Sequence, residues 1–264
     1  MNKGNEKAVT ISFGIQKGGV GKSTTAGITA FLLSKDYKVL AVDFDSQGNL
    51  TQLLTQRNIY DFSSNTVLEA CKEKNPVPYI MELTDSLHIL PSEDLLATFS
   101  RYLYQSYQGS KAHLLRETLE SIKGNYDFII IDLPPNLGDQ TINGLTASDY
   151  AVVMLQSEPF CYDAVNRYLE TLQLVKERTN PDLILAGILT SMMDIRTTID
   201  GAILDQARAN YEDVVFDTVI RRKNRIKEFS IMGITDKNRA DREALKTYKN
   251  FTRELVERVK EGQV

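Results

Sequence analysis

The segment FGIQKGGVGKSTTAG, residues 13–27, concentrates the residue types that chemistry on a polyanion requires. Gly18, Gly19 and Gly21, with Val20 between them, form a backbone cradle that can turn and approach a ligand where a Cβ would obstruct it. Lys22 would bridge the β- and γ-phosphates of a nucleotide, and Ser23 would place its hydroxyl on Mg²⁺. A strand before the loop and a helix starting near Lys22 would add the positive end of a helix dipole. The pattern G-x-x-x-x-G-K-[ST] is broken at its first position, where Gln16 stands. A plain glycine-rich turn is the alternative, and the intact second half of the motif argues against it. Lys17, directly before the paired glycines, is a second cation that this pattern does not require.

Two acidic strand ends complete the chemistry. In VLAVDFDSQGNL, Asp43 closes an apolar run and Asp45 follows two residues later, where ligands bind in open α/β sheets. One carboxylate can hold a metal-bound water while the other orients an attacking water. In FIIIDLPPNLGD, Asp132 ends a second apolar run as a Walker B acid does, reaching Mg²⁺ directly or through water, and Pro134 and Pro135 would stiffen the loop beyond it. A turn or helix cap is the bland alternative for each aspartate.

These residues need a scaffold that brings several strand ends to one edge. AVTISFG, KVLAVD, LHILP, DFIIID, YAVVMLQ and LILAGILT read as buried strands, because Val, Ile and Leu runs without alternation suit a parallel sheet covered on both faces. Helices are predicted near 22–35, 64–73, 93–107, 110–123, 139–148, 161–178 and 197–210, and an amphipathic one from Arg239 to Lys260. The fold class is therefore α/β: a doubly wound, mostly parallel sheet flanked by helices on both faces. With 264 residues, 42% hydrophobic and 25% charged, one P-loop domain over residues 1–264 is expected. CKEKNPVPYI reads as an exposed connection inside it.

Other chemistries find little support. Cys71 and Cys161 stand far apart without ligand-spaced partners, which argues for buried free thiols over zinc or disulfides. His88 and His113 are isolated and read as structural. The first ten residues lack the apolar core of a signal peptide, and no run is long enough to span a bilayer, so a cytoplasmic location is expected. The net charge of −4 gives the whole molecule no attraction to DNA or anionic lipid. Any such contact must come from a patch, and VIRRKNRIKEFS supplies one: Arg221, Arg222, Lys223, Arg225 and Lys227.

Together KGGVGKSTT, VDFDSQGN, IIIDLPPNLGDQTINGLTASDY and SMMDIR resemble, in order and spacing, the motifs of the ParA family of deviant Walker-A ATPases, from about Val9 to Lys260. The resemblance implies an Mg²⁺-dependent ATPase and gives Lys17 a role. In this family the matching lysine reaches across a nucleotide-sandwich homodimer to phosphates bound by the other subunit, much as an arginine finger does. It further implies that Asp45 orients the attacking water, that Asp43 supports Mg²⁺ and the site, and that Thr24 contacts the α-phosphate. Met193 and Asp194 match a region near the nucleotide base, although SMMD reads equally well as a strand end packed in the core.

Within this family, an iron protein would need cluster-holding cysteines in a matching motif, and neither Cys71 nor Cys161 provides one. MinD-like proteins end in a basic amphipathic membrane helix, whereas FTRELVERVKEGQV carries Glu254, Glu257 and Glu261. No membrane contact is expected. About eight residues precede the first strand, so an N-terminal helix-turn-helix is not expected. The resemblance thus favours a plasmid or chromosome partition ATPase. Its ATP-bound dimer would bind double-stranded DNA without sequence preference through the basic segment and be released when a centromere-bound ParB-like protein stimulates hydrolysis. Nucleoid association follows from that cycle. The alternatives are a MinD-like ATPase or one that positions a protein cargo, and a solvated, salt-bridged face is the alternative for the basic run.

Overall fold

The computed structural model describes residues 7–156, 161–191 and 198–262. Six strands match the apolar runs of the sequence: β1 (Val9–Gly14), β2 (Val39–Asp43), β4 (Leu87–Leu90), β5 (Phe128–Asp132), β6 (Tyr150–Gln156) and β7 (Ile184–Ser191). The two-residue β3 (Met81–Glu82) was not predicted; it pairs antiparallel with β4 at the sheet edge. The order is β3-β4-β2-β5-β1-β6-β7, and every pairing except β3 with β4 is parallel. β2, β5 and β1, which lie side by side, are buried along almost their whole length. This is why they read as continuous apolar runs and not as alternating ones.

The helices are α1 (Lys22–Leu33), α2 (Asn49–Thr55), α3 (Val67–Glu73), α4 (Phe99–Gln105), α5 (Leu114–Glu120), α6 (Asp139–Ala147), α7 (Cys161–Arg178), α8 (Thr198–Tyr211), α9 (Asn224–Met232) and α10 (Arg239–Glu261). The predicted helix over 93–107 splits, because Asp94–Thr98 winds as a 3₁₀ turn before α4. That over 110–123 shortens to α5. Two helices escaped the sequence reading. α2 has only seven residues and opens at Gly48 with φ 60°, and α9 lies inside the basic run, whose charges mask the i, i+3 pair Ile226 and Phe229 that it buries.

One hydrophobic cluster runs through the sheet and both helix layers. Cys71 is buried in it, and burial pushes its thiol up to about 12. His88 shares a 2.9 Å hydrogen bond with the Tyr126 hydroxyl, and His113 lies within hydrogen-bonding distance of Ser110 and the Thr179 carbonyl. Both are tied into the framework, as expected. Among the described residues no helix is long and apolar enough to cross a membrane.

Candidate functional site

Parallel register decides which side chains meet. β5 lies between β2 and β1, with Asp43 opposite Asp132 on one side and Phe13 opposite Asp132 on the other. The two acidic strand ends are therefore neighbours, next to the loop that leaves β1. In that loop Gly19 and Gly21 have φ of 78° and 76°, left-handed values that disfavour any side chain. Gly21 precedes α1 and offers no side-chain cap, so the first N–H groups of the helix are left for a ligand. Val20 is buried, and its carbonyl accepts a 2.8 Å hydrogen bond from Ser191 Oγ at the end of β7.

Lys17, Gly18, Gly19, Val20, Gly21, Lys22, Ser23 and Thr24 line one cleft of about 580 Å³ together with Asp45, Gln47, Asn49, Gln52, Leu53, Pro135 and Ser230. This volume suits a nucleotide. Eight of the loop positions singled out in the sequence are thus assembled on a single wall. The polar residues Gln47, Asn49 and Gln52 come from α2 and the turn before it, and Ser230 comes from α9. Gln47 and Asn49 stand inside the VDFDSQGN motif, whereas nothing in the local sequence marks Gln52 or Ser230, which only the fold carries to the loop.

Lys22 is buried and folds back onto the acids, with Nζ 3.0 Å from Asp132 Oδ1 and 3.9 Å from Asp45 Oδ2. The Ser23 hydroxyl lies beside Asp132 and favours its charged form. The second carboxylate oxygen of Asp132 is buried without a hydrogen-bond partner. A buried, orphaned anionic oxygen beside a hydroxyl fits a hydrated Mg²⁺, which keeps several waters and takes few protein ligands.

Asp43 is placed differently. One of its oxygens accepts from the Thr51 N–H at 2.7 Å and the Thr51 hydroxyl at 2.8 Å, and the other accepts from the Asp45 N–H at 3.3 Å. Thr51 Oγ1 in turn accepts from Ser92 N, and Ser92 Oγ donates to the Asp45 carbonyl at 2.8 Å. Asp43 therefore supports the loop that carries Asp45. Burial, and then the Asp132 carboxylate beside it, push Asp43 up to about 7. Burial also raises Asp132, opposed by Lys22 and Ser23. Thr51 and Ser92 belong to the site but lie eight and 49 residues from Asp43 in the chain, so no spacing pattern reveals them.

The basic run divides. Arg221, Arg222 and Lys227 are exposed. Arg225 instead places Nε 2.7 Å from Asp241 on α10 and also pairs with Glu228, while Lys223 contacts Glu243. Part of the segment, from Asn224 on, is the helix α9. α10 adds cations that the sequence reading passed over: Arg239, Arg242, Lys246, Lys249, Arg253 and Lys260 are all exposed and follow one another at helical spacings of three, four or seven residues, hence on one face, which Glu257 shares. Glu254 is not a free surface charge, since it accepts the Asp217 and Thr218 N–H groups and pairs with Arg258. Met193 and Asp194 lie outside the described residues.

A glycine-rich phosphate loop, a strand-end acid beside its lysine and a doubly wound parallel sheet define a P-loop ATPase. Residues 8–185 match the AAA domain family. The chain is 35% identical over 221 residues to the sporulation initiation inhibitor protein Soj of Bacillus subtilis, covering 81% of this chain and 84% of that one. It is 34% identical over 261 residues to the chromosome-partitioning ATPase Soj of Thermus thermophilus, covering 97% and 98%. The fold of cobyrinic acid a,c-diamide synthase from Mycobacterium smegmatis, solved with an ATP analogue and magnesium, is similar with a TM-score of 0.83 at 30% identity, over 97% of this chain and 96% of that one. The chain belongs to the ParA family of partition ATPases.

Proposed function

We propose that this partition ATPase works as an ATP-dependent dimerisation switch on DNA. The observation that supports the reading best is the presence of two lysines, Lys17 and Lys22, on one phosphate cleft. Lys22 is paired with Asp132 and Asp45 of its own chain, so it is positioned to serve phosphates bound in cis. Lys17 lines the same cleft and, by resemblance, would reach phosphates bound by a second copy. Gly18 to Gly21 and the first turn of α1 would cradle the phosphates, Thr24 the α-phosphate among them. Mg²⁺, held by Ser23 and Asp132, would neutralise charge on the terminal phosphates. Asp45 is held by its own Asx turn, with the Gln47 N–H donating to Oδ1 at 3.1 Å. It would orient the attacking water, and Asp43 keeps that turn in place. Met193 and Asp194 are assigned to the base side of the nucleotide by resemblance alone.

The DNA surface in this reading comprises Arg221, Arg222 and Lys227 with the cation face of α10. Phosphate contacts of this kind bind without regard to sequence and weaken steeply with salt. A ParB-like partner bound at a centromere would stimulate hydrolysis and release the dimer, which places the protein on the nucleoid. Binding to random-sequence duplex DNA without nucleotide, with ADP and with ATP plus Mg²⁺, across a salt series, tests the proposal. Binding confined to the ATP state and lost as salt rises is expected. Equal binding in all three states, or none, would refute the switch.

A further inference from the structure

A second cleft, of about 440 Å³, lies between the end of α1 and the C-terminal half of α10 and shares no lining residue with the phosphate cleft. Leu32, Leu33 and Val256 give it an apolar wall. Tyr37 stands beside them, its ring held edge-on to Phe128 with centroids 5.0 Å apart, so a surface suited to a flat ring is fixed in advance. Thr252 also lines the cleft. It is only 8% exposed, and its Oγ1 is buried without a hydrogen-bond partner. Thr25, Thr55 and Thr118 each return their hydroxyl to the carbonyl one turn back, whereas Thr252 leaves its own uncommitted. A buried hydroxyl in that state calls for a partner, and rotation about χ1 exchanges it with the methyl group on the same carbon.

The charges around the wall are mixed. α10 contributes Lys249, Arg253 and Lys260, all exposed, and among the described residues none of the three is paired with a carboxylate. Lys35 is engaged with Asp236 at 3.4 Å. Lys249 and Arg253 are one turn apart, so both can close on a single phosphate. Glu257 follows one turn later, and Asp36 joins from the end of α1. Ionised carboxylates only accept hydrogen bonds. They would repel a bare polyanion and hold a sugar hydroxyl, as the acid of a dinucleotide site does. Cations for one phosphate, acids for hydroxyls and an apolar wall with a tyrosine for a ring match one class of ligand. We infer that this cleft is a second nucleotide site, which takes a ribonucleotide. The sugars within a DNA strand have no free hydroxyl to offer the acids, so a free ribonucleotide fits better than a DNA backbone. Lys249, Arg253 and Lys260 also belong to the DNA face proposed for α10, so an occupied cleft would compete with DNA. That consequence rests on the DNA reading, and the site itself does not.

The experiment is a methyl NMR titration of leucine- and valine-labelled protein, without DNA, using each of the four ribonucleoside 5′-monophosphates and inorganic phosphate. Val256 and Leu32 report on this cleft, and Leu53 reports on the phosphate cleft that it lines. At least one of the four nucleotides should shift Val256 and Leu32 saturably. Lys249→Ala/Arg253→Ala should weaken that binding at least about tenfold, as expected for loss of two charge-assisted contacts, while Arg239→Ala, on the same helix but outside the cleft, should leave it unchanged. Shifts confined to Leu53, or no shift of Val256 and Leu32 with any of the four, would overturn the site. So would the same shifts at the same concentration with inorganic phosphate, or equal weakening by Arg239→Ala, since either would reduce the cleft to a diffuse patch of positive charge.

Discussion

Lys22 and Asp132 form a buried ion pair, 3.0 Å from Nζ to Oδ1, that joins the first turn of α1 to the end of β5. The phosphate loop and the end of β5 therefore carry opposite charges that compensate each other before any nucleotide arrives. Replacing Lys22 with Ala should abolish ATP binding and also destabilise the nucleotide-free protein by roughly 3 kcal/mol, since it leaves a buried carboxylate unpaired. Lys22→Ala/Asp132→Asn should recover most of that stability and none of the binding. Urea denaturation with a fluorescent ATP analogue measures both. A Lys22→Ala variant as stable as wild type would show that the pair contributes nothing.

The trans role proposed for Lys17 makes a prediction that a cis role cannot. Lys17→Ala and Asp45→Ala should each bind ATP and each lack turnover. In a mixed dimer, however, the Lys17→Ala subunit keeps its own Asp45 and receives Lys17 from its partner. Equal mixing should restore about one quarter of wild-type turnover, because half of the randomly paired dimers are mixed and each has one complete site. A mixture as inactive as its components would place Lys17 in its own subunit's site.

Asp45→Ala alone should lower turnover by about 10²-fold or more while leaving ATP-dependent DNA binding intact. DNA-bound protein would then persist after excess ADP is added. Rapid release from this variant would show that Asp45 does not orient the attacking water.

Cations in the basic run should separate into two kinds. Arg221→Ala, Arg222→Ala and Lys227→Ala should weaken DNA binding for every sequence and reduce the salt slope by about one unit per lost phosphate contact. Arg225→Ala should instead lower Tm by several degrees, because it strands the fully buried Asp241. Thermal melts and DNA titrations on the same four variants check this, and an Arg225→Ala variant of unchanged Tm with lost DNA binding would reverse the assignment.

Asp43 gives a pH signature. Its ordinary value is 3.8 and burial beside Asp132 raises it to about 7, so between those values the folded state holds a proton that the unfolded state releases. Its contribution to stability therefore falls as pH rises through that window. Asp43→Asn removes this dependence. In EDTA without nucleotide, the Tm of the variant relative to wild type should climb from pH 3.8 toward 7 and then level off. A constant difference would show that Asp43 does not titrate in this range.

Much of this was legible in the chain. Continuous runs such as FIIID and YAVVMLQ announce buried parallel strands because both faces of the sheet are covered. The loop Lys17 to Thr24 declares itself because glycine spacing, lysine and hydroxyl are all local. Asp43, Asp45 and Asp132 could be picked out by sitting where apolar runs stop. Local order also misled: the charges of residues 221–227 hid α9, and the cations of α10 went unnoticed because acids such as Glu243 and Glu257 intervene among them in sequence.

The amino-acid sequence by itself determined six of the seven strands, the phosphate loop and the family, since each depends on residues close in the chain and on burial that composition reports. Only the tertiary structure decided which charges meet. The order β2-β5-β1 set Asp43 against Asp132 and brought Lys22 onto that pair. The packing of α9 on α10 withdrew Arg225 from the surface by giving it Asp241. Electrostatic partners are chosen by distance in space, and residues 110 positions apart, such as Lys22 and Asp132, acquire that distance only when the sheet is assembled.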